Sequence, residues 1–167
     1  MNGFPDSRSG AGPAPILVLG VGNMLLGDDG VGPALLDQLT DSDGRWNGQV
    51  EFMDGGTQGL ALLGHLSGRR ALIIVDALQT GAPPGTIHRL TLNELRSVTP
   101  ARASSGHEGN AGELLAAAQL LDELPDRLFV VGVEPQTIST GFGLSTPVQD
   151  ALRSASDQVA CLLAQLC

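Results

Sequence analysis

The sequence predicts an α/β fold in which a mostly parallel sheet is covered by helices on both faces. Short apolar, β-branched runs alternate along the chain with segments whose leucines recur at helical spacing. The apolar runs are continuous, so both faces of each strand must be dry, and a parallel sheet between two helix layers provides that.

Residues 1–14, "MNGFPDSRSGAGPA", are polar and rich in Gly, Pro and Ser and read as a flexible tail, leaving 15–167 as a single domain. The first strand is "ILVLG" (16–20), followed by a helix on Val31, Leu35, Leu36 and Leu39. "VEFM" (50–53) is the second strand, and Leu60, Leu63 and Leu66 mark a helical stretch after it. "ALIIVDA" (71–77) is the third, and "GTIHRL" (85–90) is a weaker one. Leu114, Leu115, Ala118 and Leu121 space a further helix. "LFVVGV" (128–133) is the last strand, and Val148, Leu152, Val159, Leu162, Leu163 and Leu166 line the final helix. In such sheets ligands bind beyond the carboxyl ends of the strands. A site is therefore expected among Gly20–Asp29, Asp54–Gly59, Asp76–Gly81 and the residues after Val133.

Composition excludes several chemistries. Nine basic residues against 18 acidic ones give a net charge of −9, which repels nucleic acid and anionic lipid surfaces. All the basic residues are Arg, and Lys and Tyr are absent, which removes Schiff-base catalysis, a phosphate-loop lysine and a tyrosine acid. Cys161 and Cys167 form no CxxC and point to neither a disulfide framework nor a structural zinc site, so a reduced, cytoplasmic setting is expected. No secretory signal is recognisable, and no run approaches the ~20 apolar residues of a membrane span.

The loop after the first strand, "GVGNMLLGDDGVG", begins like a dinucleotide site. Leu25 stands where the third glycine of G-x-G-x-x-G would be. Asp28 and Asp29 precede a helix that has Pro33 in its first turn, and two carboxylates there would occupy the place of a pyrophosphate. Either they cap the helix and complement its dipole, or they hold a cation. Asp76, at the end of "LIIVD", brings another carboxylate to the same rim after a strand in which an unpaired charge is costly.

His65 and His88 lie in a helical and a strand pattern and read as surface or satisfied core residues. His107 lies in the Gly and Ser loop of "RASSGHEGNAGELL", where functional side chains concentrate. One imidazole with two carboxylates suits a borderline transition metal with open positions. Asp54, Gly55, Gly56 and Thr57, in "MDGGTQG", are candidate substrate-binding residues, because paired glycines admit a peptide backbone closely. The alternative is a turn aspartate followed by a helix-capping threonine. "GLSTP" lacks the second glycine of a nucleophile elbow, which argues against a covalent intermediate.

Together "GVGNMLLGDDGVG", "DGGTQG", "LIIVDA", His107, "VGVEPQ" and "GLSTPVQDAL" resemble the [NiFe]-hydrogenase maturation endopeptidases, in order and over roughly residues 15–166. The resemblance implies a three-layer α/β/α sandwich around a five-stranded, mostly parallel twisted sheet. It implies an aspartic-type endopeptidase that removes the C-terminal extension of the hydrogenase large-subunit precursor after nickel insertion. Asp29 and Asp76 would be catalytic, and with His107 they would ligate nickel brought by the precursor, a position at which other divalent metals can substitute. Several relatives carry Glu at the position of Asp29. The implied partner is that precursor, with no nucleic acid and no membrane; the oligomeric state stays open, a monomer included. Two other readings compete: a metal-sensing chaperone that holds the precursor uncut, and a peptidyl-tRNA hydrolase-like enzyme, which shares the "GxGN" loop but is opposed by the acidic charge. A nucleotide-binding oxidoreductase ranks last, because the paired aspartates and the absent third glycine both oppose it.

Overall fold

The computed structural model describes residues 13–40, 44–46, 48–98 and 111–167. Residues 1–12 of the expected tail, and His107, lie outside them. Five strands form one sheet in the order β2-β1-β3-β5-β4. They are β1 (Ile16–Val21), β2 (Val50–Gly56), β3 (Ala71–Ala77), β4 (Ile87–Thr91) and β5 (Arg127–Val133). All neighbours pair in parallel except β4, which lies antiparallel along β5 at one edge.

Side chains alternate across the strands, and each set meets its own helix layer. Ile16, Val18, Ile73, Val75, Val131 and Val133 face α1 (Val31–Thr40) and α5 (Thr146–Leu166) in one buried cluster. Leu17, Leu19, Leu72, Ile74, Leu128 and Val130 face the other way, against Leu62, Leu66 and α4 (Ala111–Leu120). Three layers result, as expected. The long helix α5 buries eight residues at helical spacing, from Val148 to Leu166, which is why its pattern was so readable.

Four local differences from the expected elements have physical causes. β2 runs on to Gly56, so Asp54 to Gly56 belong to the strand instead of following it. The stretch after it is a 3-10 turn, Gly59–Leu62, leading into a single helical turn, α2 (Leu63–Leu66). Its buried residues are Leu62 and Leu66, while Leu60 is exposed. A short helix, α3 (Leu92–Val98), follows β4, where Leu92 and Leu95 pack against the core and the pattern is too brief to read. Leu121, spaced as the last apolar position of α4, falls just beyond the helix and is exposed.

Arginines brace the amino ends of the strands, away from the predicted site. Arg69 is buried; it donates from Nε to the His65 carbonyl at 2.9 Å, and from its guanidinium to the Ala14 carbonyl and the Glu51 carboxylate, each at 2.6 Å. Arg70 donates to the Leu166 carbonyl at 2.6 Å, tying the end of α5 to the sheet. Cys161 and Cys167 are free and exposed.

Candidate active site

Strand register sets the site. Asp54 in β2 is level with Gly20 in β1, Gly20 is level with Val75 in β3, and Asp76 is the next residue, level with Gly132 of β5. The chain leaves β1 towards β2 on one side and leaves β3 towards β4 and β5 on the other, so the crevice between such connections opens at β1 and β3. Asp29 lies on the first of these loops and Asp76 ends the second strand.

Asp29 is held by its own loop. The Asn23 N–H donates to its Oδ2 at 2.8 Å, while the Asn23 side-chain oxygen accepts from the Leu25 N–H at 2.9 Å. Gly22 permits this turn: its φ is +131°, and a Cβ there would stand 1.9 Å from the Asp29 carbonyl oxygen. No side chain fits at that position. Asp76 is half-buried and accepts the Ala77 N–H at 2.8 Å. Its carboxyl is held well above the usual carboxylate range, first by desolvation and then by the negative charge of Asp29, against one opposing hydrogen bond from Ala77. The two carboxylates thus share one electrostatic environment and would both gain from a cation between them.

Asp28 is separate from this pair. It is 0% exposed and faces the loop that leads into α5. Its Oδ2 accepts from Gln136 N–H at 2.8 Å, Thr137 N–H at 3.1 Å and Ser145 Oγ–H at 2.8 Å, and its Oδ1 accepts from Ser145 N–H at 2.6 Å. Burial raises its proton affinity, but the bonds from Ser145, Thr137 and Gln136 together outweigh that and leave its pKa lowered. Neither helix capping nor metal binding describes it, since every donor comes from residues 136–145. Backbone bonds reinforce the seam: Gly27 N–H to Gly141 O at 2.9 Å, Gly141 N–H to Leu25 O at 2.9 Å, and Asp28 N–H to Thr137 O at 3.2 Å. Ser145, the N-cap of α5, therefore directs its hydroxyl to Asp28 and makes no cap bond to its own helix.

A second clamp went unread in the sequence. Glu134, buried directly after β5, accepts from the Thr80 N–H at 2.9 Å, Thr80 Oγ–H at 2.8 Å and Gly81 N–H at 3.0 Å. His88 Nε2 lies 3.2 Å from it, which gives this histidine the satisfied structural place its strand pattern implied. Desolvation pushes the Glu134 pKa up, and the bonds from Thr80, Gly81 and His88 prevail and lower it. The signal that marks Asp76, an acidic residue closing an apolar strand, marks Glu134 in "VVGVEP" as well.

The remaining candidates are placed as follows. Asp54 is exposed and accepts the Gly56 N–H at 2.9 Å across two residues, the local turn of its alternative reading. Gly55 is buried, and a Cβ there would meet Leu62 Cδ1 at 2.8 Å and Leu19 Cδ1 at 2.9 Å, so its missing side chain serves internal packing. Thr57 is exposed; the 3-10 turn has Gln58 at its N-cap position, with no side-chain cap bond. Among the described residues no group of three or more His, Cys, Asp or Glu gathers as a metal cluster. Asp29 and Asp76 are near enough for the charge of the first to act on the second. No described helix is long and apolar enough to cross a membrane.

Known proteins resemble this chain in sequence and fold. Residues 35–161 match the family described as hydrogenase maturation protease, HycI. The hydrogenase 2 maturation protease of Escherichia coli strain K12 is 35% identical over 151 residues, which cover 89% of this chain and 90% of that protein. The hydrogenase expression/formation protein HupD of Thiocapsa roseopersicina is 33% identical over 90% of this chain and 68% of its own length. Among solved structures, the E. coli hydrogenase maturating endopeptidase HybD superposes with a TM-score of 0.77 at 35% identity, covering 90% of this chain and 92% of that one. The [NiFe] hydrogenase maturation protease HybD of Thermococcus kodakarensis, at 23% identity, shares the fold with a TM-score of 0.70 over 89% of this chain and 98% of its own. With most of its length matched in sequence and in fold, this chain belongs to the hydrogenase maturation protease family.

Proposed function

We propose that this peptidase removes the C-terminal extension of a [NiFe]-hydrogenase large-subunit precursor once nickel has been inserted, and that it works in the cytoplasm. The nickel arrives as part of the substrate and is met by Asp29, Asp76 and His107. The observation that carries this reading is the placement of Asp29, on the loop after β1, beside Asp76 at the end of β3: the Asp29 charge adds to burial in holding the Asp76 carboxyl above its usual range, and a divalent ion there relieves that strain. The names of the relatives support a hydrogenase precursor as substrate. The acidic charge and the lack of Lys oppose a nucleic-acid substrate.

Asp76 is the member of the pair assigned to proton transfer: before the metal docks, burial and the Asp29 charge hold its proton affinity above that of an ordinary carboxylate. It takes a proton from the attacking water as the oxygen adds to the scissile carbonyl carbon. It then returns that proton to the leaving nitrogen as the C–N bond breaks, releasing a new carboxyl terminus and the extension. Asp29, fixed by the Asn23 N–H, holds the docked metal and orients the substrate.

Intact mass spectrometry of nickel-loaded and nickel-free precursor tests this. Loss of one C-terminal peptide is expected only with nickel and only with the wild-type protein, and Asp29→Asn and Asp76→Asn are expected to lower the rate by at least about a hundredfold. Equal cleavage without nickel would remove the metal check, and stable binding with no change in mass would make the protein a chaperone that holds the precursor.

A further inference from the structure

Six large apolar side chains stand exposed among the described residues, and their distribution is uneven. Leu120 ends α4 and Leu121 follows it, where the chain turns back into β5, at the amino end of the sheet. The other four surround the carboxyl end: Met24 at 57% and Leu25 at 52% on the loop after β1, Leu60 at 53% on the turn after β2, and Phe142 at 85% between β5 and α5. Clustering of exposed apolar residues at the end that carries Asp29 and Asp76 marks an interaction surface.

These residues sit on braced backbone. Leu25 O accepts from Gly141 N–H, Leu26 bridges to Gly141, and Asp28 grips the segment on either side of Phe142, at Gln136, Thr137 and Ser145. Leu60 sits in a turn anchored by the buried Leu62. Side chains presented in a fixed arrangement lose little freedom when a partner covers them, which is how a preformed docking face behaves.

Charge narrows the choice of partner. Among the described residues, the stretches 22–30, 54–62 and 136–145 contain no arginine, while Asp29, Asp54 and Asp76 lie at the same end. An anionic partner finds no counter-charge on these stretches. A second copy would set these carboxylates against its own. The fitting partner is a protein surface that is apolar around a cationic centre, and of the partners considered the metal-loaded precursor of the proposed function is the one that brings a cation to these carboxylates.

We propose that Met24, Leu25, Leu60 and Phe142 form the docking surface for the large-subunit precursor, seating apolar side chains of that protein around the metal presented to Asp29 and Asp76. This inference rests on the function proposed above, and the test separates the two. Binding of nickel-loaded precursor is measured by biolayer interferometry and cleavage by intact mass, for the wild type, Leu25→Ser, Phe142→Ser and a control, Leu120→Ser. The two rim variants are expected to raise Kd and KM at least about tenfold with kcat at saturation and Tm unchanged, and the control to change neither. Rim variants that bind within about twofold of the wild type, or a control that weakens equally, overturn the docking surface. Sedimentation showing a wild-type dimer that Phe142→Ser loses would assign the surface to a second copy instead. A wild-type protein that binds without cutting refutes the peptidase step and leaves the Kd comparison decisive. One that neither binds nor cuts refutes both.

Discussion

Asp76 carries an energetic penalty for the position it occupies. Its folded-state pKa is raised by burial and by Asp29, so between the unfolded and folded values the native state binds more protons and stability falls as pH rises. Above the folded value the penalty is complete. Asp76→Asn is therefore expected to raise Tm at neutral pH while abolishing cleavage, and the gain should vanish in acid below about pH 4, where the unfolded carboxyl is protonated as well. Thermal scans across pH check this. In Asp29→Asn the repulsion is gone and Asp76 should titrate lower than in the wild type, although still above an ordinary aspartate because desolvation remains; carboxyl-carbon NMR reads the shift. The suspicion of Asp76 was available from sequence, because a carboxylate after "LIIV" must be explained. The same reasoning applied to "VVGVE" would have found Glu134, and the role of Asp28 could not be found that way, since its partners are distant in sequence.

Strands and long helices were legible because each is defined by residues close together in the chain. β1, β3 and β5 needed only unbroken apolar runs, and α5 needed only its spaced leucines and valines. What escaped depended on contacts from elsewhere: β2 continues through two glycines because it pairs with β1, and the turn at Gly59–Leu62 is tight because Leu62 seats over Gly55. The seam between the loop of Asp28 and residues 136–145 belongs to the same class. Asp28→Ala would remove a buried acceptor and its bonds from the Gln136, Thr137 and Ser145 N–H groups, and is expected to cost about 2–4 kcal/mol in denaturant titration. Because the Asp28 pKa is lowered by folding, its contribution is present above the unfolded pKa and is lost as pH falls through the folded one. The gap between the wild type and Asp28→Ala should therefore narrow in strong acid.

At the scale of the molecule, the two ends of the sheet do different work. Arg69 and Arg70 brace the amino end, while the carboxyl end holds Asp29, Asp54, Asp76 and four exposed apolar residues, Met24, Leu25, Leu60 and Phe142. The excess of acid over base makes the whole particle a poor ligand for polyanions, and no shift of transfer RNA is expected in gel assays even at low salt, where such binding would be strongest. Asp28 has one further consequence, in time. Its side-chain partners lie 108, 109 and 117 residues downstream, so a chain emerging from its amino terminus holds both Asp29 and Asp76 long before the segment that fastens the rim exists. Closure of the rim that carries Asp29 therefore waits for nearly the last stretch of the chain to be made.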